Sequence, residues 1–299
     1  MVARFSTGRA SFRTRLAHPV VLVLIGIASV QIGATFAKSL FDEVSPTAMV
    51  WLRLSLSALI LLAITRPRVR GLSRRDWLVV LAFGASLGLM NWTIYQAFAR
   101  LPIGIAVTIE FIGPLTIALV TSRRARDLVW VALAAAGVVL LGLEPGRISI
   151  VGVLFALAAG AFWAAYIMLS KATGARWEGI DGLALASTVA AVALTPAALT
   201  SADGLGAPHV WLVGLMVGLM SSVVPYSLDL VALRSIKPSL YAILMSLEPA
   251  AGALAAIVVL HEGLSALQWL AIACVVAASA GATRTGKPEH HVPAESTPA

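Results

Sequence analysis

Residues 100–115 read RLPIGIAVTIEFIGPL, and residues 234–250 read RSIKPSLYAILMSLEPA. In the first stretch Arg100 and Pro102 lead into an apolar run that holds Glu110 and Pro114. In the second, Arg234 and Pro238 lead into a similar run that holds Glu248 and Pro249. Other landmarks keep nearly the same spacing: Lys38 to Lys171 is 133, Arg100 to Arg234 is 134, and Pro114 to Pro249 is 135. Trp130 matches Trp269 only after a short insertion. Two worn copies of one apolar unit, each interrupted by an acid and a proline at similar places, form the pattern of a membrane transporter with its site between the halves.

Composition agrees with that class. Hydrophobic residues make up 59% of the chain, charged residues 12%, and the mean hydropathy is +0.91. Soluble domains carry roughly twice that share of charge. Apolar runs of about 20 residues recur along the whole length, the length a helix needs to cross a bilayer. Barrel strands would be about 10 residues long and would alternate polar with apolar. The expected fold is therefore an all-α polytopic membrane protein with ten spans: 19–40, 46–65, 77–98, 102–121, 128–143, 151–170, 181–200, 209–232, 238–260 and 266–283. They group into a basic N-terminal segment (1–18), a first five-helix repeat (19–143), a second (151–283) and a polar tail (284–299). Five spans per repeat is an odd number, so the second copy enters the membrane from the opposite side and the repeats are inverted.

The net charge of +8 is a matter of topology. With the N-terminus in the cytoplasm, eighteen Lys and Arg residues fall on that side and three (Lys38, Arg100, Arg147) on the other, with Arg53 inside a span. This positive-inside bias places both termini in the cytoplasm and removes the case for a nucleic-acid partner. The first apolar run is too long for a signal peptide and matches span 6, so it is expected to be retained. One cysteine, Cys274, allows no internal disulfide, and His290 and His291 read as a solvated pair in the tail. No HExxH, P-loop or G-x-S-x-G motif is present, so neither an enzyme nor a nucleotide-driven pump is expected, and no cofactor or metal is called for.

Ionisable groups inside a span cost at least about 2.5 kcal/mol on insertion scales and need a reason. Four qualify: Glu110, Glu248, Asp229 and Arg53. A structural ion pair such as Arg53 with Glu110 is the plain alternative to a functional role. Pro114, Pro225 and Pro249 each remove a backbone donor and are expected to break their helices, which is tolerated at membrane depth only against protein or a wet cavity. Around the acids stand Asn91 and Tyr95, four apart on one face, Trp163 and Tyr166 in span 6, Tyr226 in span 8, and Ser246 beside Glu248. Together with Glu110 and Glu248 they are the expected substrate-binding set. A carboxyl that is dry in one state and wetted in another exchanges a proton; Glu110 and Glu248 are the coupling candidates, Glu110 first because Gly113 and Pro114 follow it. Ser57 in span 2 reads as a bland polar position. Gly84/Gly88 and Gly214/Gly218 each form a GxxxG; packing within the chain is favoured, and a homodimer seam is the other reading.

Several stretches carry a family resemblance: Ala37-Lys-Ser-Leu-Phe41, Gly104-Ile-Ala-Val, Glu110-Phe-Ile-Gly-Pro-Leu115, Ser122-Arg-Arg124 with Asp127, Pro225-Tyr-Ser-Leu228 and Leu244-Met-Ser-Leu-Glu-Pro-Ala250. The chain resembles the drug/metabolite transporter superfamily with two EamA-type repeats, and within it the threonine/homoserine exporter branch of bacterial inner membranes. Asp229 departs from the glutamate expected there. The resemblance implies efflux of small neutral amino acids in exchange for protons. The residues themselves leave open other metabolites, nucleobases or drugs, and a non-transporting membrane subunit or receptor as the rival of another class.

Overall fold

The computed structural model describes residues 19–285 except 68, 70, 123–127, 143–148, 175, 178, 179 and 233–237. Expectations for the basic segment 1–18, for Arg68, Arg70, Arg123, Arg124, Arg126, Asp127, Arg147, Arg234 and Lys237, and for the tail with His290 and His291 lie outside the described residues. Among the described residues every regular element is helical. In chain order these are α1 (Pro19–Lys38), α2 (Pro46–Thr65), α3 (Arg74–Phe98), α4 (Ile103–Glu110), α5 (Ile112–Ser122), α6 (Leu128–Gly142) and α7 (Ile150–Gly174). They continue with α8 (Asp181–Leu199), α9 (Pro208–Gly218), α10 (Val224–Ala232), α11 (Pro238–Met245), α12 (Glu248–Leu260) and α13 (Ala266–Thr285). A π-helical turn, Leu219–Val223, joins α9 to α10.

Local chemistry sets the helix starts. Ser45 accepts from the Ala48 amide at 3.1 Å with Pro46 leading α2, and Ser73 and Asp76 exchange the two bonds of a capping box at the start of α3. The helices are apolar on every side, and residues such as Ile150 and Val258 stand 76% and 74% exposed, a surface that suits lipid. Among the described residues eight helical runs are long and apolar enough to cross a membrane; shorter apolar helices, Ile103–Ile117 and Leu128–Leu140, stand where the fourth and fifth of the ten spans were expected. The chain is a multi-pass helical membrane protein.

Three of the expected spans, each carrying one of the prolines expected to break its helix, are interrupted. Span 4 is α4 and α5, separated at Phe111; span 9 is α11 and α12, separated at Ser246 and Leu247; span 8 carries the π turn. Each interruption stands next to a proline. Pro114 is third in α5, Pro225 second in α10 and Pro249 second in α12. A proline at position i cannot bond the carbonyl four residues back, so the ladder opens beside Glu110, Ser221 and Met245.

In the interior, α3 packs on α7 and α8, α2 on α8 and α9, and α1 on α9, α10 and α12. Between them α4 packs on both α7 and α12, while α6 lies mainly against α13 at the periphery. The GxxxG glycines serve these contacts within the chain. Gly84 and Gly88 face Ala186, Val189 and Ala190 of α8; Gly214 faces Leu52 and Gly218 faces Ser57, both of α2.

Candidate functional site

The two acids mark the two breaks. Glu110 is the last residue of α4 and Glu248 the first of α12, and both are buried. Glu110 lies within electrostatic reach of both Glu248 and Arg53, so one buried cluster draws on α4, α12 and α2. The span 4 break is held by α7: a Cβ on Gly113 would run into the Gly160 carbonyl, and one on Gly160 would meet the Glu110 carbonyl oxygen. Backbone lies directly on backbone there, as small residues allow in lipid. Trp163, three residues along α7 from Gly160, sets its ring edge-on to Phe111 at 5.3 Å between centroids.

Arg53 does something the sequence did not assign. Its Nη2 donates to the Ser221 carbonyl at 3.1 Å and its Nη1 reaches Tyr95 Oη at 3.5 Å, with the guanidinium 5.7 Å from the centre of the Tyr95 ring. Ser221 is the carbonyl that Pro225 leaves without a partner four residues back. Beside it, Ser29 of α1 donates to the Met220 carbonyl at 2.7 Å and Ser57 of α2 to the Gly218 carbonyl at 3.2 Å. Side chains of α1 and α2 thus satisfy the opened turn of span 8. Ser57, expected to be bland, is fully buried and bonded to that turn, because its helix face lies against Gly218.

Among the expected binding residues, Asn91, Tyr95, Glu110, Ser246 and Glu248 are buried, while Trp163, Tyr166 and Tyr226 are half-buried. Asn91 Nδ2 donates to the Leu87 carbonyl of its own helix at 2.9 Å. Tyr95 is fully enclosed between Phe41, Phe98 and Arg53. Ser246 Oγ bonds the Ile243 carbonyl at 2.6 Å inside the span 9 break. Tyr166 stacks on Phe83 at 4.9 Å and lines a separate cleft of about 170 Å³ with Ser170, Thr173 and Trp177. Tyr226 follows Pro225 in α10. The structure therefore brings Tyr95, Glu110, Glu248 and Arg53 into one cluster and sets Tyr166 on another wall.

Gln31, which the sequence groups with Ser29 and Thr35 as the polar residues of span 1, stands outside the expected binding set. It is buried in α1 with Oε1 unpartnered and directed at Gly252, one turn beyond Glu248. A lone amide in a 20-residue apolar helix is the signal that points to it. At one end of the bundle Lys38 pairs with Glu262 at 2.5 Å and donates to the Leu101 carbonyl at 2.8 Å, while Glu262 accepts from the Ile103 amide at 3.0 Å. One carboxylate thus ties the end of α1 to the start of α4.

Residues 150–284 match the EamA-like transporter family. The chain is 39% identical over 278 residues to the threonine/homoserine exporter RhtA of Escherichia coli K12, covering 92% of this chain and 94% of that protein. The chain belongs to the EamA-like transporter family. The protein of the same name from Salmonella typhimurium SL1344 is 38% identical over the same shares. The uncharacterized transporter YwfM of Bacillus subtilis 168 is 31% identical over 168 residues, 52% of this chain and 55% of that one. A crystal structure at 20% identity is similar with a TM-score of 0.62 over 89% of this chain and 97% of that chain, a likeness of fold alone. This EamA-type chain is a transporter of a small molecule and not an enzyme.

Proposed function

We propose that this chain exports small neutral amino acids, threonine and homoserine foremost, from a bacterial cell across its inner membrane in exchange for protons. The observation that carries the reading is the buried cluster in which Glu110 of the first repeat lies within electrostatic reach of both Glu248 of the second and Arg53. A zwitterion asks for an acceptor at its ammonium and donors at its carboxylate. The two carboxylates and the Tyr95 hydroxyl belong to that cluster; in this reading Asn91, Trp163, Tyr226 and Ser246 complete its wall, and Tyr166 joins them only as the cavity opens. The two relatives matched over most of their length are named as threonine/homoserine exporters.

Proton exchange follows from competition. A proton and a substrate ammonium seek the same carboxylate oxygens, so a site that takes one releases the other. Alternation is read from ten spans in two inverted repeats, 19–143 and 151–283, with both termini cytoplasmic. What supports this is the packing: exchanging the repeats turns the contact of α3 with α7 into that of α1 with α9 and α10. The same exchange turns the contact of α1 with α12 into that of α4 and α5 with α7. The Lys38–Glu262 pair then joins the repeats at the outer face, where opening has to part it.

Counterflow of labelled threonine into proteoliposomes loaded with unlabelled threonine tests the transport reading, and an imposed pH gradient tests the coupling. Glu110→Gln, which fixes the neutral state, is expected to abolish pH-driven efflux and to spare threonine-for-threonine exchange. Flux confined to nucleobases or drugs overturns the substrate class. Unchanged pH dependence in both Glu110→Gln and Glu248→Gln overturns the coupling.

A further inference from the structure

The geometry points to Arg53 as the anchor for the substrate's α-carboxylate, received on the unpaired Nε edge of its guanidinium. This rests on the reading of the chain as an amino-acid exporter and deepens it, since it assigns which end of the substrate goes where.

A guanidinium inside a membrane span needs a reason to be there. Holding one freed carbonyl is a task that a neutral donor could perform; Ser29 and Ser57 do the same for Met220 and Gly218 with a single hydroxyl each. Arg53 brings five N–H donors and is 9% exposed, yet its Nε has no hydrogen-bond partner. An unpaired charged donor at that depth is costly, and such groups mark places where a ligand completes the bonding. The orientation is already set. The Ser221 carbonyl holds Nη2 at 3.1 Å, and the Tyr95 ring lies 5.7 Å under the guanidinium carbon. A planar fork fixed on two sides meets a carboxylate with little further ordering.

The surroundings divide by polarity. Among the described residues, four buried side-chain atoms lack a partner: Gln31 Oε1, Arg53 Nε, Trp177 Nε1 and Ser221 Oγ. Trp177 belongs to the separate cleft shared with Tyr166. Of the rest, Arg53 Nε and the Ser221 hydroxyl are donors on adjoining elements, with Gly33 of α1 leaving the room that Ser221 Oγ occupies. The acceptors, Gln31 Oε1 with Glu110 and Glu248, stand toward α12. Arg53 of α2 and Ser221 as donors, with the acceptors gathered toward α12, form the complement of a zwitterion: carboxylate toward Arg53 and Ser221, ammonium toward the acids.

The test is competition against labelled-threonine counterflow by the full-length protein in proteoliposomes, using threonine, threonine amide and threoninol. All three keep the ammonium and the side-chain hydroxyl; only threonine has the carboxylate. In the unmodified protein the amide and the alcohol are expected to compete about 10- to 100-fold more weakly than threonine. Arg53→Gln is expected to weaken threonine by a similar factor and to leave the other two unchanged, so that discrimination collapses. Arg53→Lys, which keeps the charge and a donor for Ser221 but not the fork, is expected to fall between, and it carries the test should Arg53→Gln fail to fold. A purely structural Arg53 would weaken all three ligands alike. That result, or discrimination that survives both substitutions, or an unmodified protein that takes the amide as readily as threonine, overturns the anchor. An unmodified protein with no threonine counterflow overturns the exporter reading itself, and the anchor falls with it.

Discussion

Span 3 and span 8 correspond at an offset of 134 residues, yet one is an unbroken helix and the other is opened at its centre. Asn91 of α3 stands where Pro225 stands in span 8, and Gly84 where Gly218 stands. The Asn91 side chain bonds its own helix at Leu87 and leaves the backbone ladder closed. Pro225 has no amide to offer, so the turn before it widens into the π form and its carbonyls look elsewhere. They find Ser29, Arg53 and Ser57. A helix that satisfies itself can carry side chains on a fixed frame. A helix that depends on its neighbours is coupled to them, and any movement of α10 against α1 and α2 has to exchange those bonds. The difference between the two spans makes α3 a closed frame and ties span 8 to α1 and α2.

The most severe way to break this contrast is to give α3 the residue of span 8. Asn91→Pro removes an interior hydrogen bond and sets the ring against the Leu87 carbonyl, costing about 3 kcal/mol or more. Among the described residues it is the Asn91 amide that bonds the Leu87 carbonyl, and the substitution removes it too, so the purified protein is expected to melt far below the unmodified one in detergent. Melting within a few degrees of it would show that α3 tolerates an opening after all, and the contrast would be lost.

The corresponding glycines sharpen the same point. A Cβ on Gly84 would stand 2.5 Å from Val189 Cβ and 2.8 Å from the Ala186 carbonyl oxygen, whereas one on Gly218 would have Ser57 Oγ at 3.2 Å as its tightest neighbour and the Arg53 carbonyl oxygen at an ordinary contact distance of 3.4 Å. Gly84→Ala is expected to cost about 1–3 kcal/mol through overpacking, because the α8 backbone cannot retreat. Gly218→Ala is expected to cost less than about 1 kcal/mol, since a hydroxyl can turn aside. Thermal unfolding of the two variants side by side decides it, and the reverse order would mean that span 8, not span 3, is the tightly seated helix.

Pro225→Ala runs the exchange in the other direction. An alanine amide can bond the Ser221 carbonyl and close the ladder, making span 8 resemble span 3. Stability is expected to rise by about 1 kcal/mol, the net worth of one added bond, while threonine counterflow slows because the link through Arg53 is relieved. A variant that is more stable and equally fast would separate the π turn from transport.

How far these features can be read from the chain depends on where their partners lie. The helices are legible because an apolar run of about 20 residues has few other uses, and the breaks at Glu110 and Glu248 are legible because each proline removes a donor at a known distance. The π turn is not. Ser221, Ser222 and Pro225 are visible as a polar patch, but the turn is satisfied by residues 161 to 191 positions away, and nothing local announces them. Glu110 and Glu248 stand out for the cost of burying a carboxylate. Arg53 stands out equally, but its acceptor is a backbone carbonyl, which no side-chain pattern reveals, and the sequence offers an ion pair with Glu110 as the plain structural alternative. Tyr166 stands three residues from Trp163, yet it turns to Phe83 of α3 and a different cleft while Trp163 meets Phe111, and spacing along α7 does not encode which neighbour each ring finds.

The smallest effect falls on the residue whose role changed most between sequence and structure. Ser57 Oγ gives the Gly218 carbonyl one hydrogen bond of 3.2 Å at the edge of the π turn. Ser57→Ala leaves that carbonyl with no side-chain donor, at a net cost of about 1 kcal/mol. Thr200, exposed at the end of α8 and bonded only to Ala197 of its own helix, is the fitting control, and Thr200→Ala is expected to change nothing measurable. If span 8 is held from the first repeat as described, Ser57→Ala lowers the melting temperature by a few degrees and shifts counterflow slightly, while Thr200→Ala does neither. Equal behaviour of the two variants would mean that the bonds from α2 to the turn contribute nothing to its position. The contrast between the two spans would then rest on Pro225 alone.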